Sequence, residues 1–234
     1  VDISEASTGL GTIAVSAAGQ TVNIADTGTL IVGSVSGVTG ISSAGLTLKA
    51  QNGLTLNEDV TATAAVSIDS DSNNSGAGTL TVATGTALSS GGNQLDIIAA
   101  DLTITGTGAI TSGAANMSID RATPGTIRLG NGSDNLTISG AELQQITAAD
   151  LTLGGANATF IKVDSISAAN SNNISGTMIV DATRDDGIIQ FLAGSSTFNA
   201  LTASADRGMA VIGSVTTDVG NMALEGDSDD TNDG

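Results

Sequence analysis

The chain has 234 residues, 31 of them Gly, and contains no His, Cys, Trp or Tyr. Without these side chains, Ser-His-Asp and Cys-His catalysis, thiolate zinc sites and disulfides are excluded, and a sandwich with an aromatic core is disfavoured. With 6 basic and 24 acidic residues, the formal net charge of −18 argues against nucleic acid or anionic lipid as a partner.

Hydropathy places the chain among folded proteins without a membrane segment. An apolar content of 40% argues against disorder. No apolar run reaches the roughly 18 residues that a membrane span needs, so we expect no membrane insertion. The chain begins at Val1 without an initiator Met or a signal peptide, and we interpret it as a processed piece of a longer protein.

Short runs of alternating apolar and polar residues, each ending at Gly, Asn, Asp or Ser, predict strands along nearly the whole chain. The recurring unit is an apolar-Thr-apolar triplet, in which alternation along a strand places the two apolar side chains inside and Thr outside. The clearest copies are Leu46–Leu48, Leu54–Leu56, Leu80–Val82, Leu102–Ile104, Leu136–Ile138 and Leu151–Leu153.

The longest internal match aligns 97–104 with 146–153, an offset of 49 residues, and half of that offset is a typical solenoid repeat. We therefore predict an all-β fold, a parallel β-helix with about 20 to 25 residues per coil and on the order of ten coils. The predicted domain covers residues 1–225. A tandem of immunoglobulin-like sandwiches is the alternative, but its cores normally contain large aromatic residues.

Two segments resemble a known group of repeats. Ala100–Gly108 and Gly53–Asn57 look like the β-helical repeat regions of filamentous-haemagglutinin-type exoproteins and other giant bacterial surface proteins. The resemblance spans most of residues 1–225, although the secretion domain of that family is not recognisable. It implies a structural or adhesive rod on the outside of a bacterium.

One motif predicts a metal site. Residues 129–137 are similar to the calcium-binding nonapeptide G-G-x-G-x-D-x-U-x. Leu129 replaces the first Gly, and Asp134 stands at the position of the ligand Asp. In such arrays the ion lies between stacked turns, so Asp134 needs an equivalent turn one coil away. Asp134 is thus the candidate calcium ligand, and calcium is the one candidate cofactor. A Gly-Asn corner that precedes a strand is the alternative interpretation.

Two acidic segments stand outside the strand pattern. The cluster Asp69–Asn74 has oxygen ligands suited to calcium, with a solvated loop as the alternative. Residues 226–234 follow Glu225 without any strand pattern and are rich in Asp, so we expect an acidic disordered tail or a linker.

A polysaccharide-cleaving β-helix, lyase or hydrolase, is the competing functional hypothesis. Asp185 and Asp186 beside Arg184 are its best carboxylate pair, and Asp164 and Asp181 would have to join them in one groove. Adjacent residues of a strand face opposite sides, so this pair converges only in a turn. The scarcity of aromatic platforms for sugar rings also disfavours this hypothesis.

We therefore predict a non-enzymatic, extracellular stalk or filament segment of a bacterial surface protein. Its expected partners are adjoining repeats or other copies, end to end, together with a host, cell-surface or matrix ligand. An ice-binding surface is a further alternative, because outward Thr at regular spacing orders water. The uneven spacing of the triplets argues against it.

Overall fold

The structure is a computed structural model that describes residues 1–5 and 9–228, and it consists of short strands coiled around one axis. Each coil contributes a strand to each of up to three faces, and strands of successive coils pair in parallel. The first face is an unbroken sheet of ten strands. The predicted all-β parallel β-helix of about ten coils is therefore confirmed.

The described residues form thirty strands and two single-turn helices. The first fifteen strands are β1 (Asp2–Ser4), β2 (Thr12–Ile13), β3 (Val15–Ala17), β4 (Val22–Asp26), β5 (Leu30–Val32), β6 (Ser34–Val35), β7 (Val38–Thr39), β8 (Ile41–Ser43), β9 (Leu46–Ala50), β10 (Leu54–Leu56), β11 (Val60–Ala62), β12 (Val66–Asp69), β13 (Thr79–Val82), β14 (Ala87–Ser89) and β15 (Leu95–Ala99). The next strands and the helices are β16 (Asp101–Ile104), β17 (Ala109–Thr111), β18 (Met117–Arg121), β19 (Gly125–Gly130), β20 (Leu136–Ile138), α1 (Gly140–Leu143), β21 (Ile146–Thr147), β22 (Leu151–Gly154), β23 (Ala158–Asp164) and α2 (Ala168–Ser171). The last strands are β24 (Thr177–Ala182), β25 (Ile188–Phe191), β26 (Ser196–Phe198), β27 (Ala200–Ala205), β28 (Gly208–Val211), β29 (Val215–Thr217) and β30 (Met222–Glu225).

Three faces surround the core. The first face has the strand order β1-β4-β9-β12-β15-β18-β22-β24-β27-β30. The second face consists of two sheets, β2-β5-β10-β13-β16 and β20-β19-β23-β25-β28. The third face is the sheet β3-β8-β11-β14-β17-β21, and the separate pair β26-β29 follows in the last coils, with α2 packed against β26.

The number of residues per coil varies, although the strand pairing on the first face is continuous. Nine pairing steps on the first face carry the chain from Asp2 to Ala223, a mean of about 25 residues per coil. Single steps range from the 20 residues between Thr47 and Ser67 to the 34 between Ser118 and Thr152. Loops between faces absorb these differences, because only strand residues must stay in register.

The 49-residue internal match is wrong as an alignment of equivalent positions. Leu102 pairs with Leu80 on the second face, whereas Leu151 pairs with Met117 and Met178 on the first face. All faces of a solenoid present the same short alternation to one core, so a similar sequence does not identify a face. The mean coil length nevertheless agrees with half of the offset.

The predicted inward and outward positions of the triplets are confirmed. Leu102 and Leu151 are buried, whereas Thr103 and Thr152 are partly exposed. Buried Leu, Ile, Val and Ala from all three faces form one core cluster along the rod. The only large aromatics in this core, Phe191 and Phe198, belong to the C-terminal coils.

Buried serines close the corner that follows the third face. Ser90 and Ser112 are both fully buried. The hydroxyl of Ser112 donates to the carbonyl of Ala115 at 2.8 Å, and that of Ser90 donates to the carbonyl of Asn93. A small side chain that satisfies a buried carbonyl allows the backbone to turn sharply without leaving an unpaired acceptor.

The sixth coil contains an extra strand. Ile127 of β19 pairs in parallel with Leu136 of β20, only nine residues further along the chain. Two strands of one coil therefore lie side by side on the second face, joined by a tight return loop, 131–135. Gly130, which precedes this loop, has a φ of 104° and lies against the carbonyl oxygen of Asp164, where no other residue fits.

Capping boxes define both helical turns. The hydroxyl of Ser139 accepts from the backbone N–H of Glu142, and the Glu142 carboxylate accepts from the Ser139 N–H in return. Ser167 and Asn170 form the equivalent box at α2. The two turns pack on each other, so a helical pair continues the corner between the second and third faces through the sixth and seventh coils.

The described chain closes with β30, whose last residue is Glu225. Of the predicted acidic tail, 226–234, the part from 229 to 234 lies outside the described residues, whereas the Ser228 N–H donates to the carbonyl of Ala205 at 3.0 Å. In the last coils, Val211 is 51% exposed and Leu224 is 42% exposed. None of the helices that the structure describes is long and apolar enough to cross a membrane.

The two sides of one strand test the assignment of faces. We expect Leu151→Asp to lower the free energy of unfolding by roughly 3 kcal/mol or more, because it buries an unpaired carboxylate. Thr152→Asp adds the same charge at the next residue but leaves it at the surface, so its effect should stay within about 1 kcal/mol. Urea unfolding followed by circular dichroism measures both. Equal losses would contradict the assignment.

Candidate functional sites

Asp134 lies in the return loop of the sixth coil and forms two ion pairs. Its Oδ2 accepts from Nε of Arg128 at 2.6 Å, and its Oδ1 accepts from Nζ of Lys162 at 3.0 Å. The three side chains are between 12% and 23% exposed. Both carboxylate oxygens are thus occupied by cations of the same chain.

The ladder of the second face brings the two cations together. Arg128 of β19 pairs directly with Lys162 of β23, and both point outward beneath the loop. Lys162 Nζ also lies 5.1 Å from the ring centroid of Phe160, within the range of a cation–π contact. Arg128 further donates to the carbonyl of Asn131, so the loop is fastened to the face at two points.

These contacts determine the charge of Asp134. Burial raises its pKa, but the hydrogen bonds from Lys162 and Arg128 outweigh burial and hold the pKa below the usual 3.8. Among the described residues, no group of three or more acidic side chains could hold a metal ion. The calcium ligand predicted at Asp134 stays a prediction, and a bound ion there would have to displace both cations.

The carboxylates of the enzymatic hypothesis lie on different parts of the rod. Asp164 ends β23 on the second face and accepts from the N–H of Gly194, whereas Asp181 belongs to β24 on the first face. Asp185 and Asp186 occupy an exposed loop between these faces. Arg207 lies 3.5 Å from Asp186, whose side chain is 66% exposed. The fold does not gather Asp164 and Asp181 on one face.

The acidic segment Asp69–Asn74 forms a corner loop around a buried carboxylate. Asp71 is fully buried and accepts from the N–H and the hydroxyl of Ser75 and from the N–H of Gly76. Asp69 accepts from the N–H of Asp71 at 3.2 Å. These bonds make Asp71 the acceptor that orders the loop, which is an ordinary structural use of an Asp in a turn.

Arg121 is a buried cation that sequence reasoning did not single out. It is 3% exposed at the end of β18, and its guanidinium donates to the carbonyls of Ala100 and Thr123 and to the Thr123 hydroxyl. Its ladder partner in the preceding coil is Ala99. The guanidinium therefore satisfies backbone acceptors at the corner where the sixth coil departs from the regular path.

Two partly buried carboxylates lie on the outer side of the first face, and Lys49 is next to one of them, Asp69, in the ladder. Asp69 and Asp120 are outward ladder positions two coils apart, with Ile98 between them. Burial raises the pKa of both carboxyls, and the charge of Asp181 raises that of Asp120 further. Folding therefore penalises the ionised form of these groups.

A hydroxyl column follows the third face. Neighbouring outward positions on the same strands include Ala87 and Ala109, so the hydroxyls form a single file. A single file gives water or a crystal surface no second row to bind, so the third face offers no support for the ice-binding alternative. The column consists of Ser16, Ser42, Thr61, Ser89, Thr111 and Thr147 in six successive coils.

No protein-family model, curated protein or solved structure matches the chain.

The ion-pair site can be tested against the predicted calcium site. We expect Asp134→Asn to destabilise the fold by about 1–2 kcal/mol, because Arg128 and Lys162 lose the negative charge and one of the two oxygens that they share. Asp218→Asn removes the same charge from an exposed position and serves as the matched control. Melting temperatures measured by circular dichroism should be equal in millimolar calcium and magnesium. A calcium-specific rise that disappears in Asp134→Asn would establish a calcium site instead.

The raised carboxyl pKa values predict the direction of the pH dependence. Burial raises the pKa of Asp69, Asp101 and Asp120 above 3.8, so their ionised forms cost stability at neutral pH and protonation relieves the cost. We expect the melting temperature to rise as the pH falls through these raised values toward 3.8. Below about 3.8, protonation of Asp134 removes its ion pairs and reverses the trend.

The control for this pH profile is Asp120→Asn, which retains a side-chain acceptor for the Arg121 N–H. This variant should be more stable than the wild type at pH 7.5, and its melting temperature should rise less on acidification. The measurement is a series of thermal melts at constant ionic strength. A wild-type melting temperature that falls steadily as the pH is lowered to 3.8 would contradict the assignment.

Proposed function

We propose that this chain is a non-enzymatic structural segment, a stalk or filament portion of an extracellular bacterial surface protein. The observation that carries the proposal is the stack itself. One sheet of ten parallel strands and one continuous apolar core run along the described chain, so its parts are joined as a single rod. Such a rod holds whatever is attached to its ends at a fixed separation.

The exterior fits a spacer between other parts of a surface protein. The formal net charge is −18, and hydroxyl side chains occupy outward columns on the faces. Repulsion between like-charged rods opposes lateral association, and the columns provide few apolar groups for non-specific adhesion. A host, cell-surface or matrix ligand would then bind through a limited patch rather than along the whole rod.

The last coils support continuation of the rod by adjoining repeats. Val211, Met222 and Leu224 are at least 36% exposed, yet their ladder partners in the preceding coil are buried. A further coil, from the same protein or from a second copy, would bury these side chains and pair the free strand edges. End-to-end stacking is therefore the mode of association that we propose.

The polysaccharide-cleaving alternative has less support. Hydrolysis of a glycosidic bond requires two carboxyl groups at a defined separation of about 5 to 10 Å across the bond. Asp164 and Asp181 belong to different faces, and the pair Asp185 and Asp186 lies in an exposed loop. These positions give no reason to favour the enzyme over the stalk.

Localisation and activity together test the proposal. Antibodies raised against this chain, used for immunogold electron microscopy of the cells that produce it, should label the outside of the cell and extended surface structures. The purified chain should release no reducing ends and no unsaturated products from a panel of neutral and acidic polysaccharides. Intracellular label would overturn the localisation. Turnover that Asp185→Asn and Asp186→Asn abolish would establish the enzyme.

A further inference from the structure

The second face contains the one place where its ladder of backbone hydrogen bonds stops within the described coils. Strands β16 and β20 pack against each other, but they are the end strands of two different sheets. We call this boundary, between Asp101–Ile104 and Leu136–Ile138, the seam. At the same level of the rod the first face is unbroken, with β18 paired to both β15 and β22. The third face is also unbroken there, with β17 paired to β21.

Side chains replace backbone acceptors at the seam. The Thr137 N–H donates to Oδ1 of Asp101 at 2.9 Å, and the Ile104 N–H donates to Oε1 of Glu142 at 3.1 Å. Nε2 of Gln145 donates to the carbonyl of Gly106 at 2.7 Å. In the regular part of this face, by contrast, β13 and β16 are paired over four consecutive residues.

The extra strand of the sixth coil explains why the seam exists. The chain enters the second face at β19, one strand beyond the position next to β16, and the return loop then carries it back to β20. Ile127 pairs with Leu136, so β20 uses one edge for β19. Its other edge faces β16 but forms no backbone ladder with it. The carboxylates of Asp101 and Glu142 accept backbone N–H groups there instead.

Contacts of this kind hold two coils together less firmly than a ladder. A backbone pair is fixed once both strands form, whereas Asp and Glu side chains lose rotamer freedom for each bond. Burial and the charge of Glu142 also raise the pKa of Asp101, which shows that the two acceptors repel each other. Because a solenoid is stabilised by interfaces between neighbouring coils, its weakest interface is where cooperative unfolding divides.

We propose that the seam divides the rod into two cooperative units, residues 1–5 and 9–111 on one side and residues 117–228 on the other, and that the second face opens first at the seam. The inference depends on the fold alone. It therefore stands or falls separately from the proposed stalk function. In a rod under load, such an interface sets the point of bending and the first step of extension.

Two-probe unfolding tests the division. The chain has no Cys, so Thr47→Cys and Thr202→Cys each give one labelling site for an environment-sensitive fluorophore, on opposite sides of the seam. In urea we expect the two probes to report separate midpoints, with circular dichroism spanning both. Coincident transitions at the two probes would overturn the proposal.

Hydrogen exchange in the intact chain tests the location. We expect the amides of Ile104 and Thr137 to exchange at least about tenfold faster than that of Val82, which lies in β13 and is paired on both sides. Asp101→Ala with Glu142→Ala should widen this difference. Asp96→Ala, which removes a carboxylate of the same coil that accepts from the side chains of Gln94 and, across to the next coil on the first face, Ser118, should not.

The outcomes are distinct. Equal wild-type protection at Ile104 and Val82 would place the weakest interface elsewhere and refute the inference, even if the double variant does not fold. Faster exchange at the seam in the wild type, unchanged by Asp96→Ala, would support it.

Discussion

Backbone pairing between successive coils is the interaction on which the rest of this structure depends. Each interior strand of the first face bonds to a parallel strand on both sides, so every N–H and C=O of the ladder finds its partner one coil away. Because the pairing fixes the distance between successive coils at about 4.8 Å, equivalent side chains stack in columns. Each side chain of a column must therefore fit against its neighbours in the adjacent coils. Small aliphatic residues meet this requirement inside the rod, and hydroxyl residues meet it outside.

Several charged side chains act where the regular column fails. Arg121 satisfies backbone carbonyls at the corner that opens the sixth coil, and Arg128 with Lys162 holds Asp134 in the loop that closes its extra strand. Asp101 and Glu142 supply the acceptors that the ladder lacks. In a chain with only six cations, three therefore support one irregular coil.

The sequence predicts the architecture because its signal is local. Alternation within a triplet such as Leu151–Leu153 tells which side chains face the core, and the structure confirms that division. Which face a triplet occupies depends on the lengths of all the loops between, and the match of 97–104 with 146–153 failed for that reason. The ion pairs of Asp134 were unpredictable for the same reason, since Lys162 meets Arg128 only through the register of β19 and β23.

The distance between two points along this molecule is set by the number of coils between them and not by the number of residues. Pulsed electron–electron double resonance between pairs of spin labels on the outward column of the first face measures this distance. Because the chain has no Cys, introduced cysteines accept the labels only at the chosen positions. Asn23 and Ser118 are four ladder steps apart and Asn23 and Thr202 are seven, so mean separations of about 19 and 34 Å are expected. Broad distributions, or equal separations for the two pairs, would contradict the stacked rod.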